Sequence, residues 1–84
     1  MNNIIMRSVS VGAAYAPLVS AKLVASVVIQ APASNLAVVT FKGDDGSDVT
    51  WQPGDWYEFH HIDLNSVQVK GTLGDKVLLV GGTW

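Results

Sequence analysis

The chain contains no cysteine, so neither a disulfide nor a thiolate metal centre can hold it together. Charge is scarce as well: 14% of the 84 residues are charged, against about 25% in an average globular protein. The five basic and seven acidic residues give a net charge of -2. Arg7, Lys22, Lys42, Lys70 and Lys76 never cluster along the sequence, which leaves out the basic stripe that tracks phosphates. Nucleic-acid binding is therefore not expected. A membrane span is not expected either, because Gln30, Pro32, Ser34 and Asn35 interrupt the longest uncharged stretch, Leu23 to Phe41. Arg7 followed by Ser8 to Ala16 imitates a signal peptide, yet its apolar region is too short and too polar.

Also missing is any long amphipathic period of helical type with caps, and thirteen valines weigh against helix throughout. What is there is period-two alternation. Leu23, Ala25, Val27 and Ile29 fall on one side of a segment spanning 20–31 and Lys22, Ser26 and Gln30 on the other, the pattern of a strand with one buried face. Pro32 to Asn35 supplies turn residues, and Leu36 to Lys42 resumes as a strand that is expected to pair antiparallel with the first. Gly43 and Gly46 frame a hairpin turn in which both are expected to accept positive φ, leading to a strand over Asp48 to Gln52. Pro53-Gly54 suits the centre of a type II turn, after which Trp56 to His60, the segment around Val67 and Val69, and Lys76 to Val80 read as further strands.

Connections this short exclude parallel crossovers, so the expected fold is all-β: a small antiparallel β-sandwich or jelly-roll-like barrel in one domain. Its expected inward set is Leu23, Val27, Ile29, Val39, Phe41, Val67, Val69 and Val77. The core is expected over 20–84. Residues 1–19 form either an ordinary first strand or an arm that docks on another subunit, because Ile4, Ile5, Met6, Val9 and Val11 make both faces apolar apart from Arg7.

Chemistry-bearing residues are few. Glu58, His60, His61 and Asp63 are the only group resembling metal ligands. On a regular strand Glu58 and His60 point one way and His61 and Asp63 the other, so too few converge for zinc. Asp44, Asp45 and Asp48 resemble half a calcium loop but lack its spacing and closing glutamate, and capping of backbone N–H groups in a tight turn accounts for them. There is no Gly-x-Ser-x-Gly elbow, and Gly71 to Lys76 has the wrong spacing for a phosphate loop. No catalytic residue, metal or cofactor is expected. The aromatics Trp51, Trp56, Tyr57, Phe59 and Trp84 gather in the second half. Neighbours on a strand face opposite sides, so Trp56 and Tyr57 cannot both enter one core. Core packing is expected for Trp51 and Phe59. A protein interface is the expected use of the exposed rings, with a carbohydrate platform of Trp51, Trp56 and Tyr57 as the alternative. The candidate interface residues are Ile4, Ile5, Met6, Trp56, Tyr57, His60 and His61.

The strings from Val27 to Asn35, Ala37 to Phe41, Trp51 to Asp55, Ile62 to Val67 and Gly71 to Val77 together resemble a recurrent small β-domain of tailed-bacteriophage virion proteins. The resemblance spans roughly 7–80 and rests mainly on turn chemistry. It implies a non-enzymatic structural role, most commonly a capsid decoration (cement) protein on the virion surface. Such a protein is assembled in the host cytoplasm and has the major capsid protein and further copies of itself, a trimer foremost, as partners. The segment Trp56 to His61 is more aromatic than that pattern, which marks it for a specialised contact. A tail-associated carbohydrate-binding module is the alternative role.

Overall fold

The computed structural model describes residues 3–83. Eight strands follow in order: β1 (Ile4–Ser10), β2 (Ala16–Pro17), β3 (Val24–Gln30), β4 (Val39–Lys42), β5 (Val49–Trp51), β6 (Trp56–Asp63), β7 (Gln68–Lys70) and β8 (Lys76–Thr83). A single 3-10 turn, Leu64–Ser66, is the only helical element among the described residues. The strands form two four-stranded antiparallel sheets, β1-β8-β3-β6 and β2-β7-β4-β5, whose apolar faces meet in a sandwich.

Alternation places the core as expected for Val27, Ile29, Val39, Phe41, Val69 and Val77, all buried, whereas Leu23 and Val67 are half-buried and pack at its margin. Ile5, Val11, Leu18 and Val19 are buried in the same core, so the packed unit begins well before residue 20. β1 lies in register with β8 of its own chain over its whole length, from Ile4 opposite Gly82 to Ser10 opposite Lys76.

The expected pairing of the strands on either side of Pro32 to Asn35 does not occur. β3 is already bonded on one side to β6 and on the other to β8, so β4 crosses to the second sheet and pairs with β5 and β7. Three ties direct the crossing. Ala31 is buried and exchanges backbone hydrogen bonds with the next turn, donating to Asp55 (2.9 Å) and accepting from Gly54 (2.6 Å). Asn35 closes a turn by donating its N–H to the Pro32 carbonyl at 3.0 Å. The buried Asp75 carboxylate accepts the N–H groups of Leu36 and Ala37 at 3.0 and 3.1 Å. Among the described residues only β4 and β5 form a hairpin of sequence neighbours, and in its turn Gly46 takes a positive φ and Gly43 does not. The Pro53-Gly54 turn has the expected geometry, with Gly54 at φ 96 and the Asp55 N–H donating to Gln52 at 3.0 Å. It carries the chain between sheets.

β8 runs three residues beyond the expected Val80. It does so through Gly81 and Gly82, and a Cβ on Gly81 would stand 2.7 Å from the Val27 Cα. The glycine permits that close approach of β8 to β3.

Candidate functional site

β6 does not run regularly against β3. Val27 opposes Phe59 and Ala25 opposes Ile62, so the single residue Ser26 faces both His60 and His61. This is a β-bulge. The His61 N–H donates to Ser26 Oγ at 3.1 Å, and His61 takes φ 52, a left-handed conformation in which histidine is among the commoner non-glycine residues. The extra residue reverses the alternation: Ile62 packs against the core where His61 would otherwise have pointed inward. One expectation is corrected as a result. His61 and Asp63 are not paired on the face opposite Glu58, because the bulge returns Asp63 to the outer side. There Asp63 accepts the N–H groups of Leu23 (3.2 Å) and Asn65 (3.0 Å), holding the 3-10 turn. Glu58 and His60 do meet, Oε1 to Nε2 at 3.4 Å, and among the described residues no third ligand-type side chain joins them.

The outer face of this sheet collects most of the candidate interface residues. Across it run Met6, Val80, Val28 and Glu58 in one row and Ser8, Leu78, Gln30 and Trp56 in the next, with Ile4 beside Gly82 above them. Ile4 is 81% exposed, Met6 74%, Trp56 59% and Val80 50%, an unusual concentration of apolar groups in water for a sheet face that no other described element covers. Between Val28, Val80, Glu58 and His60 the surface dips into a depression of about 120 Å³. Ile5 is not part of this face: it is 4% exposed and points into the core, as its alternation with Ile4 and Met6 requires. His61 is exposed at the bulge.

Tyr57 lies on the other side of β6, opposite Ile29, where its ring approaches Trp51 at 4.8 Å between centroids. Trp51 also contacts Phe41 at 4.0 Å and lies parallel to Phe59, with centroids 6.5 Å apart. Trp51 is buried, so it offers no face to a sugar, and the exposed Trp56 and Tyr57 look to opposite sides of their strand. The three rings of the alternative carbohydrate reading therefore do not share one platform. Trp84 lies outside the described residues.

One cluster escaped the sequence reading. On the outer face of the second sheet, Lys42 and Lys70 converge on the Tyr15 ring, their Nζ atoms 4.2 and 4.7 Å from its centroid. The Tyr15 hydroxyl donates to Asp48 Oδ1 at 2.5 Å, and Lys42 Nζ lies 3.9 Å from the same oxygen. Loss of water around the ring and the neighbouring Asp48 carboxylate push the Tyr15 hydroxyl up to about 12. The bond from Tyr15 holds Asp48 below the usual carboxylate range. Two lysines far apart in sequence thus do gather in space, because β4 and β7 are neighbours. Their outward parity was legible; their adjacency was not. Asp45 is engaged elsewhere, accepting the Ser47 N–H at 2.8 Å, which lowers its own pKa. No three of the turn carboxylates converge as calcium ligands.

No protein-family model, curated protein or solved structure matches this chain.

Proposed function

We propose that this chain is a non-enzymatic structural protein that works by lateral association, specifically a capsid decoration protein that seats on the major capsid protein of a tailed phage and associates with copies of itself, a trimer foremost. The observation that carries the associative reading is the apolar outer face built from Ile4, Met6, Val28, Leu78, Val80 and Trp56. Fully burying a large apolar side chain is worth about 1.5 to 3 kcal/mol, so covering several of these groups at once favours assembly. The turn motifs from Val27 to Val77 supply the phage assignment by resemblance. Glu58, His60 and Trp56 along β6 give that face a polar and aromatic rim, the usual composition of a protein contact.

The test has two arms. Met6→Asp with Val80→Asp leaves the core untouched, and the expected result is a folded protein that sediments as a monomer and no longer binds capsid shells. The second arm is a cryo-electron microscopy map of the parent particle, in which the protein is expected on the outer shell with this face covered. A wild-type chain that is monomeric at high micromolar concentration and absent from purified particles overturns the proposal.

A further inference from the structure

A second feature, independent of the association face, lies between the sheets where the edge strands β5 and β6 approach each other. A cavity of about 220 Å³ opens there, walled by Ile29 and Phe59 from one sheet and by Phe41, Val49 and Trp51 from the other, with Val67 at its margin. Each sheet is held by its own backbone pairing, so side chains alone cannot collapse the space without moving the sheets together. Apart from Lys42 and Gly43 at the edge of the lining, every wall residue is apolar. The space opens to solvent beside the exposed Val49, and its lining offers few polar groups to the water that enters it. An apolar cavity of about 150 Å³ in another protein stays dry and takes up benzene, so the present one has the volume for a single ring with a small substituent.

We propose that this cavity is a binding site for a small neutral aromatic molecule of the size of benzene or toluene. Aromatic rather than alkyl ligands are favoured because three of the walls are rings. Phe59 is the half-buried ring of the lining, and the buried Trp51 and Phe41, packed on each other at 4.0 Å, present only a small part of their rings behind it, so a flat guest meets aromatic carbon on three sides. The ligand needs no negative charge. The only cation in the lining, Lys42, already has the Asp48 carboxylate at 3.9 Å and the Tyr15 ring at 4.2 Å.

The experiment is an NMR titration of the full chain with toluene, following the methyl resonances of Ile29, Val49 and Val67, with benzoate as a charged competitor. Saturable ring-current shifts confined to those methyls are expected, with benzoate binding more weakly than toluene. Val49→Phe places a ring at the mouth from a half-exposed position the fold tolerates, and is expected to weaken toluene binding by at least about tenfold. Absence of saturable shifts in the wild-type chain up to the solubility of toluene overturns the site whatever the variant does. Tighter binding of benzoate than of toluene overturns the neutral-ligand assignment.

Discussion

The Asn35 side chain and the Lys76 backbone are joined by a reciprocal pair of hydrogen bonds: Asn35 Nδ2 donates to the Lys76 carbonyl at 2.8 Å, and the Lys76 N–H donates to Asn35 Oδ1 at 2.9 Å. The amide thus stands in for a strand residue at the start of β8. With the neighbouring Asp75 carboxylate on Leu36 and Ala37, it fixes where the chain leaves one sheet for the other. Asn35 and Asp75 are the two buried polar residues among those described, and both are occupied in this junction.

Asn35→Ala removes both bonds and leaves a backbone N–H and a carbonyl without partners, at a cost of about 1 to 3 kcal/mol. Urea unfolding is expected to show a lower midpoint with an unchanged slope. Ser34→Ala, one residue away and exposed, is expected to stay within about 0.5 kcal/mol of wild type.

Gly81→Ala drives a methyl group into the β3 backbone at Ser26 and Val27, where no flexible side chain gives way. A loss of stability above about 4 kcal/mol is expected, seen as an unfolded circular dichroism spectrum. Among the described residues Gly82→Ala meets only the Asn3 carbonyl, at 3.2 Å, and is expected to remain folded.

His61→Gly relieves the left-handed backbone at the bulge and is expected to leave stability equal to wild type or up to about 1 kcal/mol higher. His61→Val places a β-branched residue in that conformation and is expected to destabilise. Thermal melting of the two variants in parallel separates them, and a His61→Val protein as stable as His61→Gly contradicts the strain argument.

The Tyr15–Asp48 pair predicts losses of stability at both ends of the pH range. Tyr15 has a raised folded pKa, so its contribution is present below the ordinary value of 10 and is lost as the pH rises through about 12. Asp48 has a lowered folded pKa, so its contribution is present above the ordinary 3.8 and fades as the pH falls through the folded value. In a Tyr57→Phe background Tyr15 is the only tyrosine, and its absorbance titration is expected to have a midpoint near 12. Asp48→Asn should bring that midpoint down, because the carboxylate that opposes a second negative charge is gone.

Much of the fold was legible because alternation is a local property. Val27 and Ile29, or Phe41 and Val39, declare their inward side within a few residues, and Pro53-Gly54 declares its turn by the φ each residue allows. The bulge at His60-His61 was not legible. Nothing in the local string shows that two residues will face Ser26, and one inserted residue reverses which side chains reach the core. The candidate face was half legible in the same way: Ile4, Met6 and Trp56 were interface candidates together with Ile5 and Tyr57, which face the other side of their strands, while Val28, Leu78 and Val80 joined the face only through cross-strand register.

By itself, the sequence determined the class of structure and the position of its turns, since the lack of helical period, the valine-rich alternation and the Gly and Pro sites act over neighbours. Only the tertiary structure decided which strand lies beside which. That choice depends on closing loops between residues far apart, as between Ile4 and Gly82 or Asn35 and Lys76, where the free energy comes from packing two whole sheets together and leaves no mark on a short segment. The Tyr15 cluster, the apolar outer face and the cavity lined by Val49, Trp51 and Phe59 all arise from those pairings.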